Sequence, residues 1–102
     1  MVYLPATVSK TSRKTKTMKS TKYTITTTPQ AIAPKRNNYR AIYLHVIGNG
    51  IVYLGGSDVT ATDGTATEKS AVPFELYIPA GETVYAMVAS ATEDLRVLDW
   101  SN

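Results

Sequence analysis

The sequence contains no cysteine, a single histidine and, in its first forty positions, no acidic residue. Without cysteine neither disulfides nor thiolate-held metals can supplement a small core, which leaves association as the remaining support. One histidine and scattered carboxylates give little material for a nucleophile paired with its base. No apolar run approaches the roughly 20 residues that span a bilayer, and Met1-Val2-Tyr3-Leu4-Pro5 lacks the charged start and apolar stretch of a secretory signal. The expectation is a soluble, non-enzymatic protein with no membrane partner and no cofactor.

What is present divides into two unlike parts. Residues 1–40 carry nine Lys and Arg side chains and no acid, whereas residues 41–102 carry Lys69 and Arg96 against eight acids, so the net +3 conceals a +9 leader and a −6 remainder. Such asymmetry marks a segment that seeks acidic partners and a domain that stays soluble. Residues 5–22 are rich in Thr, Ser and Lys and bury too little to repay their own ordering. The expected division is an extended basic arm and linker over 1–38, with a possible strand at 21–28, followed by a domain over 39–102. A domain of that size buries only about 60% of its unfolded surface, so assembly is expected on size alone.

From Tyr39 onward the pattern is regular. In Tyr39-Arg40-Ala41-Ile42-Tyr43-Leu44-His45-Val46-Ile47, Ile42, Leu44 and Val46 share one face and Tyr39, Ala41, Tyr43, His45 and Ile47 the other, the two-residue period of a strand apolar enough to be central. Gly48-Asn49-Gly50 reads as a tight hairpin with positive-φ residues leading into Ile51-Val52-Tyr53-Leu54. Residues 59–70 read as a long loop with one short edge strand. Pro73 marks 72–78 as an edge, Pro79-Ala80-Gly81-Glu82 as a turn, and 83–90 and 94–100 as two further strands. Short strands joined by Gly, Pro, Asn and Asp turns predict an all-β fold, a small antiparallel β-sandwich or barrel with Greek-key or jelly-roll connections.

Candidate chemistry is sparse. His45 sits in the most apolar strand, where a hydrogen-bonded core or interface role is expected. Asp58 and Asp63 flank a glycine-containing loop that could offer oxygen ligands to Ca²⁺, but their spacing does not follow an EF-hand and turn capping accounts for them. No metal site is expected.

The basic leader is the stronger signal. Lys10, Arg13, Lys14, Lys16, Lys19 and Lys22 alternate with hydroxyl side chains, followed by Tyr23 and preceded by an apolar hook that includes Tyr3 and Leu4. This segment is expected to dock on protein. Nucleic acid is disfavoured as a partner because the rest of the chain is acidic and only Tyr23 is near the cations for stacking. Tyr39, Tyr43, Tyr53, Tyr77 and Tyr85, with His45, are candidates for an oligomer interface, since tyrosine suits surfaces apolar at one end and wet at the other. A homo-oligomer, trimer or dimer, is expected.

The stretches Arg36 to Leu44, Gly48 to Thr60, Ile78 to Glu82, Val84 to Met87 and Leu95 to Leu98 resemble small virion proteins of tailed bacteriophages, with Val52-Tyr53-Leu54-Gly55-Gly56-Ser57-Asp58-Val59-Thr60 the most specific element. The resemblance implies a head decoration, cement, head-fibre or tail-accessory module. The expected role is a capsid cement protein on the virion surface, its arm lying across subunits of the major capsid protein. Alternatives are a tail or receptor-binding module using residues 59–70 and exposed tyrosines, and nucleic-acid binding by the arm.

Overall fold

The computed structural model describes residues 17–100, in eight strands. They are β1 (Met18–Ile25), β2 (Gln30–Ala33), β3 (Arg40–Val46), β4 (Ile51–Gly55), β5 (Thr65–Glu68), β6 (Phe74–Ile78), β7 (Val84–Met87) and β8 (Glu93–Trp100). One antiparallel sheet has the order β1-β8-β3-β6 and the other β2-β7-β4-β5. The pairings β1 with β8, β2 with β7, β3 with β6 and β4 with β5 nest inside one another. A single antiparallel ribbon is thus folded at the β4–β5 connection and rolled up. This is the jelly-roll form of the β-sandwich, one of the two connection patterns expected.

The core lies where inward positions of both sheets meet. Ile42, Leu44 and Val46 of β3 are buried against Val52 and Leu54 of β4 and Leu95 and Val97 of β8, which confirms the face assignment made from the two-residue period. β3 is an interior strand, β6 an edge and β5 the short edge strand within the long loop, each as its residues foretell.

The sandwich also takes in residues expected to belong to the arm and linker. β1 pairs with β8 from Met18 opposite Trp100 to Ile25 opposite Glu93, beginning three residues before the expected strand at 21–28. It stops where the Thr26 hydroxyl accepts from the Thr28 amide at 3.2 Å and closes a local turn. β2 occupies the segment between Pro29 and Pro34 that was expected to be a linker, because four residues suffice for an edge strand and neither proline falls within it. A register shift between Ala31 and Ala33 marks a bulge, which turns the consecutive residues Ile32 and Ala33 both inward. The sheets therefore begin at β1, not at residue 39.

Gly48-Asn49-Gly50 does not close a hairpin. β3 and β4 lie in different sheets, because both edges of β3 are taken by β6 and β8, so the segment carries the chain across the sandwich. Nor do its glycines serve positive φ. Among the described residues Gly81 is the glycine that does, at φ 85°. At Gly48 and Gly50 an added Cβ would collide with the Glu93 carboxylate, whose Oε2 accepts from the Gly50 amide at 2.7 Å.

Candidate functional site

Side chains that do not enter the core project from the outer face of the β1-β8-β3-β6 sheet in cross-strand rows. At one end Met18 lies opposite Trp100, the Trp100 indole donates to the Ala41 carbonyl at 3.1 Å, Ala41 lies opposite Tyr77, and Tyr77 stacks on Tyr39 with centroids 5.9 Å apart. Met18, Tyr39 and Tyr77 are more than half exposed. The next row runs Ser20, Leu98, Tyr43, Glu75, with the Tyr43 hydroxyl 3.5 Å from the Glu75 carboxylate. The third runs Lys22, Arg96, His45, and His45 Nε2 lies 3.1 Å from the Ser70 carbonyl. An aromatic edge thus grades into a cationic one across a single face.

At the free edge of β6 the two sheets part into a cleft of about 490 Å³. Leu54, Leu76, Ile78 and Val84 line it with aliphatic surface, Tyr77 and Pro79 stand at its rim, and Glu82 adds a carboxylate. At the opposite side, between β1 and β2, lies a smaller cleft of about 140 Å³ where Lys19, Tyr23, Arg36 and Asp99 meet. Beside it, Arg40 donates to Asp99 at 2.9 and 3.3 Å and to the Pro34 carbonyl at 2.7 Å. Arg36 approaches the same carboxylate at 4.0 Å.

The sequence-derived candidates therefore separate. Tyr3, Leu4, Lys10, Arg13, Lys14 and Lys16 lie outside the described residues. Lys19, Lys22 and Tyr23, expected to form one docking arm, are split by the alternation of β1. Lys22 points outward, whereas Tyr23 lies opposite Leu95 and packs on the core. Tyr39, Tyr43, His45 and Tyr77 share the outer face just described. Tyr53 and Tyr85 belong to β4 and β7 of the other sheet, so the tyrosines do not form one surface. Sequence reasoning passed over Met18, Leu98 and Trp100, although the alternation of Leu95 and Val97 against Leu98 and Trp100 carries that signal. It also passed over the Arg40 to Asp99 pair, which spans 59 positions and has no local signature.

The loop acids do a local task. Asp63 Oδ1 accepts from the Thr60 amide at 2.9 Å and the Thr60 hydroxyl at 2.8 Å. Those bonds, the amide first, hold the Asp63 carboxyl below its ordinary value of 3.8. Among the described residues no group of three or more His, Asp or Glu side chains could hold a metal ion.

No family model matches the chain, and no curated protein matches it. Among solved structures the chain is similar to one described as a Bacillus endospore appendage, from a novel family of disulfide-linked pili. The match has a TM-score of 0.56 and 20% identity, and covers 82% of this chain and 84% of that one. At that identity it establishes the fold.

This finding overturns the kinship expected with tailed-phage virion proteins, and with it the capsid-cement role and the two alternatives weighed beside it. The fold matched is that of a bacterial pilus subunit. The misreading has a physical cause. The residues that carried the resemblance are strands of the sandwich and the turns that join them, such as Gly56-Ser57-Asp58 after β4 and Pro79-Ala80-Gly81-Glu82 after β6. They report backbone geometry, which distant assemblies share, and not the place of the protein in one of them.

Proposed function

We infer that the chain is a non-enzymatic structural subunit that associates with copies of itself into a surface appendage or comparable polymer, held by non-covalent contacts. The observation that carries this reading is the similarity of its jelly roll, over 82% of its length, to a pilus subunit. The described surface fits it. Its conspicuous features are an aromatic row and an aliphatic cleft, both suited to protein contact, while His45 and Asp63 are each engaged with backbone on open surface.

The linkage has to differ from that of the matched pili. They are described as disulfide-linked, and this chain has no cysteine. Sedimentation and electron microscopy of the purified protein at rising concentration, with and without reductant, test the reading. Oligomers or filaments that grow with concentration and ignore reductant are expected. A protein that stays monomeric throughout would refute it.

A further inference from the structure

We propose that the aliphatic cleft at the β6 edge receives the apolar hook Val2-Tyr3-Leu4 of a second copy; the proposal rests on the self-association inferred above and names its contact. The lining of the cleft is mostly apolar, and in it Leu76 and Val84 are only half-buried beside the buried Leu54 and Ile78. A cleft of about 490 Å³ has room for a few aliphatic side chains. Val2 and Leu4 are spaced to enter it together when the segment is extended, because residues two apart project to the same side.

Charge supports the same occupant. After the hook come Lys10, Arg13, Lys14 and Lys16, with no acid among the first forty residues. Around the cleft are Glu82 in its lining, Glu75 exposed on β6, and Asp58 beside Gly56, another lining residue. A hook seated in the cleft therefore trails its cations past carboxylates, which favours the encounter and opposes the reverse orientation.

Reach is sufficient. Thirteen residues, 5–17, separate the hook from β1, and extended chain spans about 3.3 Å per residue, or roughly 43 Å. The segment enters β1 at Met18, on the sheet edge opposite β6. Three strand spacings, about 14 Å, separate the two edges, so the tether can pass to a neighbour stacked against either.

The absence of native cysteine makes cross-linking a clean test. Full-length Leu4→Cys protein is mixed with full-length Thr83→Cys protein, Thr83 being a lining residue of the cleft, and the mixture is oxidised. A disulfide between the two copies is expected, at least about tenfold in excess of that formed with Asn49→Cys, an exposed position on another part of the surface. Leu4→Asp should weaken self-association about tenfold or more, the scale of one leucine withdrawn from an apolar site. Association that persists while Thr83→Cys cross-links no better than Asn49→Cys would overturn the cleft assignment and leave self-assembly standing. A Leu4→Cys/Thr83→Cys chain that cross-links only within itself, equally at every dilution, would overturn the second copy as occupant. Failure to associate at any concentration would overturn both.

Discussion

Replacing Asp99 with alanine should be among the most damaging single changes in the domain. The Arg40 side chain is 8% exposed and that of Asp99 17%. Asp99 Oδ1 accepts from Arg40 Nε at 2.9 Å and from the Trp100 amide at 2.7 Å, and Oδ2 accepts from Arg40 Nη2 at 3.3 Å. In Asp99→Ala the buried guanidinium keeps only its bond to the Pro34 carbonyl, while its Nη1 has no protein partner to begin with. Removing one member of a buried pair costs about 3–5 kcal/mol. The residual exposure and the nearby second cation place this case near the lower end, at about 3 kcal/mol. For a domain of this size that lowers Tm by roughly 12–24 °C. Urea unfolding followed by fluorescence of the single tryptophan, Trp100, measures it directly. Arg40→Met/Asp99→Leu, which removes both charges, should be more stable than Asp99→Ala. A loss below about 1 kcal/mol in Asp99→Ala, or a double variant less stable than the single one, would show that the pair behaves as a solvated surface bridge and refute the argument.

Glu93→Ala should cost about 1–2 kcal/mol, because the Gly50 amide loses a charged acceptor at 2.7 Å and the group is only partly buried; the check is the urea midpoint together with faster hydrogen exchange at Gly50. Ala91 has φ 60°, where a Cβ is strained, so Ala91→Gly should raise stability by about 0.5–1 kcal/mol in calorimetry, net of the chain entropy glycine adds. Asp63 is held below 3.8 by its bonds to Thr60. Its closure of the turn is therefore complete above that value and is lost as pH falls through the lower folded-state pKa. The Thr60 amide resonance should titrate in acid with a midpoint under 3.8, and a midpoint at or above it would contradict the bonding described.

The sheet was legible wherever alternation was strong. Ile42, Leu44 and Val46, or Leu95 and Val97, announce their buried face because burial on one side of a strand imposes the two-residue period. β1 and β2 were less legible, since their inward residues are few and dispersed. Ile25 and Tyr23 stand among threonines, and the bulge at Ile32 breaks alternation where the reader needs it. The partition of strands between sheets was not legible either. Gly48-Asn49-Gly50 is good hairpin chemistry, and only the competition of β6 and β8 for the edges of β3 makes it a crossing. The cleft at β6 was invisible for the same reason, as Leu54, Leu76 and Val84 belong to three strands whose proximity is a property of the roll. Pro73 pointed to the free edge, but not to what lies beneath it.

The clip formed by Arg40 and Asp99 bears on the proposed assembly as well as on stability. It fixes the end of β8, where Trp100 lies opposite Met18, and so fixes the point at which the basic segment joins the sheet. A segment anchored to a fixed point keeps its far end within a small volume, and linking two contacts over a short span gives effective concentrations in the millimolar range. A weak apolar contact can then persist in a polymer once any second contact holds the copies together. Under the proposed self-association, that is a route to cohesion for a chain without cysteine, in which several modest contacts on each copy take the place of a covalent link.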